Sequence, residues 1–231
     1  IREQHGPKAF AYMGGGGTGG QMEVGIGLRL LRLLGSRYYY SSLAQEFSNV
    51  FWVDGRVAGR QGLITLPDPH RADTVVAWGW NGWMSHQEPR TRELIKEIKA
   101  DPQRRLIVID PRRSETAERA DIHLALRPGT DTMLLKAMIR LILDHGWEDR
   151  NFIEAHINGW DELEPLFEGF EARRAVEEVG DPDYDQVFEA TRLIAQTKSC
   201  IHEDLGIYMN RNSTINCYML HILRAITGRF C

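Results

Sequence analysis

Cysteine is scarce in this chain. Cys200, Cys217 and Cys231 are all it has in 231 residues. An odd, small number speaks against a disulfide framework, and the spacing fits neither a zinc site nor an iron–sulfur motif. A reducing, cytoplasmic setting is the expectation that follows. Long apolar runs are also missing. None approaches the roughly 20 residues that cross a bilayer, so no membrane span is expected here. An excess of positive charge is absent as well: Lys+Arg number 28 against 32 Asp+Glu, for a net charge of −4. Without a basic face, nucleic acid is not an expected partner. There is no internal repeat, and the only low-complexity segment is a run of glycines. Ile1-Arg2-Glu3-Gln4 is not the basic start of a signal peptide. With Phe230-Cys231 following directly on a helical pattern, this leads to the expectation of an excised piece of a longer protein.

What remains is ordinary globular material. Residues that are 42% hydrophobic suffice to bury one large core. Thr74-Val75-Val76-Ala77-Trp78 and Leu106-Ile107-Val108-Ile109 are continuous apolar runs of strand length, the pattern of strands covered on both faces. Short strands are expected at 8–13, 123–126 and 199–202. Helices are expected at 22–34, 88–99, 149–156, 160–167 and 184–196. Another follows from Leu134, Ala137, Met138, Leu141 and Ile142, which share one helical face. Ser213 is a candidate cap for a last helix through Ile226. The stretch 38–52 is hard to assign, and 54–69 reads as a loop with room for one helical turn. Strands alternating with helices predict an α/β fold: a doubly wound, mostly parallel, Rossmann-like sheet with helices on both faces.

In such sheets ligands bind beyond the carboxyl ends of the strands. Gly79-Trp80-Asn81-Gly82 follows one strand. Gly79 permits close approach to the backbone, and Asn81 offers a donor and an acceptor, with Ser85 and His86 just beyond. The same residues also make an ordinary Asn-Gly turn. Asp110-Pro111-Arg112-Arg113 follows the next strand. The carboxylate suits a guanine edge or ribose hydroxyls, and the arginines suit phosphate, although Asp-Pro is also a common chain break. Pro128-Gly129-Thr130-Asp131 repeats the pattern, with Asp131 equally able to open a helix. The glycines at 14–20 form a strand–turn–helix unit without the Lys-Ser/Thr of a P-loop, so a tight turn is the simpler reading. His202-Glu203-Asp204 is read as loop rather than metal site, because neighbours on a strand point to opposite faces.

Together these residues resemble the molybdopterin oxidoreductases, a family that includes dimethyl sulfoxide reductases, nitrate reductases and formate dehydrogenases. The resemblance is carried by Gly79-Trp80-Asn81 with Ser85-His86, by Leu106 through Ala117, by Ala120-Asp121-Ile122-His123-Leu124 and by Arg127-Pro128-Gly129-Thr130-Asp131. Gly146 to Leu163, Asp204-Leu205-Gly206-Ile207 and Leu223-Arg224-Ala225-Ile226-Thr227-Gly228 extend it over most of the chain, with formate dehydrogenase alpha subunits most alike. The resemblance implies a parent enzyme of several domains around a bis(molybdopterin guanine dinucleotide) cofactor holding molybdenum or tungsten. It implies that 38–231 is the domain gripping one dinucleotide and that 1–37 is a strand–helix piece of a neighbouring domain. It implies cofactor contacts at Gly79, Trp80, Asn81, Ser85, Asp110, Pro111, Arg112, Pro128, Gly129, Asp131 and Gly206.

One departure stands out. Where the family often places a Cys, selenocysteine, Ser or Asp ligand to the metal, an ungapped match falls on Ala44-Gln45-Glu46. Gln45 and Glu46 are then the weak catalytic candidates, and Ser41, Ser42 or Ser48 serve only with a shift. A 4Fe-4S cluster of the parent, its remaining domains and an electron-transfer subunit are implied outside this stretch, which is expected to be inactive alone. The rival readings are a cofactor-free structural or electron-transfer subunit that keeps the fold, and a thiamine-dependent enzyme domain.

Overall fold

The computed structural model describes residues 1–15, 21–61, 66–85 and 88–229. Two parallel sheets are present among them. In the smaller, β1 (Ala11–Met13) pairs with β2 (Tyr38–Tyr40), and helix α1 (Gln21–Leu33) connects the two. The larger holds β3 (Thr74–Trp78), β4 (Arg105–Ile109), β5 (Ile122–Leu124) and β6 (Ser199–Glu203) in the order β5-β4-β3-β6, every pair parallel. The chain steps outward from β3 to β4 to β5, then returns to the other side of β3. That reversal is a topological switch point between β3 and β6.

The strands are buried on both faces, and their side chains alternate between two cores with the two-residue period of a strand. Val76, Trp78, Ile107, Ile109, Leu124 and Ile201 face one core; Val75, Ala77, Leu106, Val108 and Cys200 face the other. The first face is covered by α2 (Ser48–Val57), α4 (Asp131–His145), α5 (Ala172–Val179), α6 (Tyr184–Gln196) and α7 (Ser213–Ile226). The second carries α3 (Thr91–Ala100), which buries Leu94, Ile95 and Ile98. Each such side chain contributes about 1.5–3 kcal/mol of transfer free energy. The expected doubly wound α/β architecture is thus observed.

Several local expectations are corrected. The one helical turn expected within 54–69 is the end of α2, which runs through Asp54 to Val57, with Val50 and Val53 turned into the core. α3 starts at Thr91, not at 88: Pro89 restricts the residue before it, and Arg90 sits in the left-handed region at φ 56°. The third strand is Ile122–Leu124 rather than 123–126, since Leu126 bridges to Gly180 instead. Pro7–Ala9 is a 3₁₀ turn, so β1 begins only at Ala11. Pro165 likewise divides 160–167 into a helical turn (Trp160–Leu163) and a 3₁₀ turn (Glu164–Phe167). β6 runs one residue past the expected 199–202, so of His202-Glu203-Asp204 only Asp204 lies beyond the strand. Ser213 is the first residue of α7, and its cap position is Asn212. Helix α5, between Gly169 and Gly180, was not anticipated. The glycines from 16 to 20, His86 and Cys231 lie outside the described residues.

Candidate functional site at the carboxyl edge of the sheet

The register levels the strand ends. Trp78 stands opposite both Ile109 and Glu203, and Ile109 opposite Leu124. Gly79, Asp110 and Asp204 therefore emerge side by side. Their amides continue the ladder: Gly79 N–H donates to Ile109 O at 2.8 Å, Asp110 N–H to Leu124 O at 3.2 Å and Asp204 N–H to Trp78 O at 3.1 Å.

At the switch point two glycines meet. Gly79 has φ 62°, and a Cβ there would stand 2.8 Å from Ile207 N and 2.9 Å from Gly206 Cα. A Cβ on Gly206 would lie 2.6 Å from Gly79 Cα. Gly206 N–H donates to Gly79 O at 3.2 Å, so two loops that diverge into the crevice touch through bare backbone.

Asn81 is engaged by its neighbours. Its amide nitrogen donates to Glu115 Oε2 at 2.8 Å, and its oxygen accepts from Thr116 Oγ1 at 2.8 Å. This clamps the loop after β3 to the loop after β4. Asn81 and the backbone hold the Glu115 carboxyl below its ordinary range. Trp80 is buried and stacks on His202 with ring centroids 3.7 Å apart; its Nε1 has no partner among the described residues. Burial pushes His202 down to about 4, so the imidazole is neutral at pH 7. Ser85 is exposed at the end of the turn Gly82–Ser85.

The two sheet-edge acids differ. Asp110 is half-buried, and its Oδ1 accepts from Arg112 N–H at 2.8 Å, an Asx turn that aims the loop. Pro111 and Arg112 are exposed, with Arg112 3.4 Å from Glu115. Asp131 is buried in the first turn of α4, where Oδ1 accepts from Trp78 Nε1–H at 2.9 Å, and burial raises its carboxyl above the usual range. Exposed Pro128 precedes Gly129, which has φ 85° and accepts at its carbonyl from Asn212 Nδ2 at 3.3 Å.

Gln45 and Glu46 lie away from this rim, in the turn Leu43–Glu46. Gln45 lines a cleft of about 530 Å³ with Ser48, Asn49, Trp52, Ser213 and Thr214, where the first turns of α2 and α7 converge. Among the described residues no group of three His, Cys, Asp or Glu is arranged to hold a metal ion. No described helix is long and apolar enough to cross a membrane.

The sequence reading missed three pairings: Glu115 and Thr116 on Asn81, Trp78 on Asp131, and Thr132 Oγ1 donating to Asn216 Oδ1 at 2.6 Å. A strand-terminal Trp, with an indole donor and no polar neighbour on its face, was a usable signal for the second.

No family model matches the chain. Among curated proteins, acetylene hydratase of Syntrophotalea acetylenica is 30% identical over 217 residues, 91% of this chain and 28% of that protein. Formate dehydrogenase H of Escherichia coli is 32% identical over 127 residues, 55% of this chain and 17% of that protein. Among solved structures, acetylene hydratase from Pelobacter acetylenicus matches 99% of this chain and 31% of its own, with a TM-score of 0.76 and 27% identity. The homologues are molybdopterin oxidoreductases. Members of this family are molybdenum or tungsten pterin enzymes. The chain spans less than a third of these relatives' length, between 17% and 28% of the two curated ones.

Proposed function

We propose that this chain is a cofactor-gripping portion of a molybdopterin-dependent, formate dehydrogenase-like oxidoreductase, holding one of two guanine dinucleotides at the crevice between β3 and β6. The observation that carries the reading is the Gly79–Gly206 contact at the switch point, with the half-buried Asp110 carboxylate on the same rim. These residues fit the group. Bare backbone admits a bulky pterin–phosphate chain, a carboxylate accepts from ribose hydroxyls or a guanine edge, and Arg112 and Arg113 are exposed for phosphate. When bound, the pterin-held metal supplies the two-electron chemistry. The chain's own part is positional. Asn81 keeps the two loops in register, the Trp80–His202 stack closes the floor to water, and Gln45 lines the cleft where α2 and α7 converge.

The remaining domains of the parent are the natural partner. Met22, Ile26, Leu30 and Leu33 form an apolar stripe on α1, each more than half exposed at 81%, 67%, 56% and 79%. A two-stranded sheet is marginal by itself, so this unit is completed by further strands of the parent. An iron–sulfur cluster and an electron-transfer subunit belong to that larger protein in this reading.

The test is metal and pterin analysis of the full-length protein. Molybdenum or tungsten with two guanine nucleotides released per metal is the expected result. Absence of metal and pterin would favour the cofactor-free subunit. A second reading concerns the reaction. The curated relative that matches 91% of this chain is named a hydratase, and Ala44-Gln45-Glu46 lacks the Cys on which formate oxidation leans. Formate-dependent dye reduction supports the dehydrogenase; hydration of acetylene without dye reduction supports the alternative.

A further inference from the structure

Beyond the carboxyl end of β6, a cavity of about 460 Å³ lies between α2 and α7, with Glu88 and Tyr208 of the segments after β3 and β6 on its lining. One wall is apolar, made by Phe47, Val50 and Leu220; the other carries Asp54, His202 and Glu203. Two buried polar atoms in that wall have no hydrogen-bond partner among the described residues. They are Asp54 Oδ2, on a side chain 2% exposed, and His202 Nδ1, on one 7% exposed. Buried polar atoms are normally satisfied by protein, water or ligand. The other Asp54 oxygen pairs with His221 Nε2 at 2.9 Å, which fixes the carboxylate and leaves Oδ2 over.

The charges choose the guest. Glu203 is matched by the buried guanidinium of Arg224, and Glu88 at the rim stands 3.6 Å from His70. Asp54 pairs with the His221 imidazole, whose charged form burial disfavours, while Glu203 and Arg224 act on it with opposite signs. A guest therefore gains by bringing N–H donors, positive charge and an apolar body; an anion meets the left-over Asp54 oxygen. We propose that this cavity binds a small organic cation, an amine or amidinium with an apolar body, that donates to Asp54 Oδ2. The site does not depend on the pterin reading and stands or falls separately from it.

The probe is benzylammonium, titrated calorimetrically into the 231-residue chain, with benzyl alcohol and benzoate as isosteric comparators. One benzylammonium should bind per chain, at least tenfold tighter than benzyl alcohol, with benzoate excluded. Asp54→Asn should erase that preference. Leu66→Trp, at a lining position 80% exposed and so free of folding consequences, should block entry. Equal affinity for the alcohol, unchanged binding in Asp54→Asn, or no binding of the ammonium, leaving a void for water, would each overturn the proposal. Should Asp54→Asn not fold, unchanged affinity in Leu66→Trp overturns it alone.

Discussion

Trp78 and Asp131 show how one contact ties strand to helix. The indole N–H and the carboxylate oxygen are both removed from water and satisfy each other at 2.9 Å. Trp78→Phe should leave the acceptor unmatched and cost about 1–3 kcal/mol, read from the urea midpoint. His202 gives a pH signature. Its folded value is depressed from 6.5 to about 4. The folded state therefore binds fewer protons, and the stabilisation is full above 6.5 and lost as pH falls toward about 4. His202→Phe keeps a ring against Trp80 and removes the titration. Its stability should fall less steeply across that window, by at most about 3 kcal/mol in total. The slope that remains belongs partly to His221, which burial shifts the same way. At this scale the rim positions were legible, because an apolar run ending in Asp or Gly marks a strand exit. What those residues touch was not: Asn81 reaches Glu115 and Asp131 reaches Trp78 across distances in sequence that no local pattern encodes.

At the level of elements, the switch point makes a sharp prediction. Gly79 and Gly129 both have positive φ, at 62° and 85°, but only Gly79 faces backbone within 3 Å. Gly129→Ala should cost about 1–2 kcal/mol for the left-handed backbone alone. Gly79→Ala should exceed it by at least about 1 kcal/mol in denaturant unfolding, because neither backbone segment can withdraw. β3 was read from sequence with its observed bounds, since β-branched residues buried on both faces leave a continuous apolar run. Helices α2 and α5 escaped. Gly55 and a buried Asp54 disguise the first, and the second has only Ala172, Ala175, Val176 and Val179 to mark its inner face.

Across the whole molecule, one exposed apolar stripe and one crowded sheet edge are what the proposed reading expects of a unit enclosed by more protein. Ile26→Lys with Leu30→Lys should reduce self-association of the isolated chain in size-exclusion chromatography while leaving its urea midpoint within about 0.5 kcal/mol, as for other surface changes. Fold class and family were readable from 231 residues because the strand-exit motifs recur in order along the chain. Substrate was not, because the residues that would decide it lie at a departure from the pattern. The most direct measurement is pterin and metal content of the full-length protein carrying Asp110→Ala. The account predicts a folded protein that retains several-fold less of both after purification. Wild-type content in that variant would contradict it.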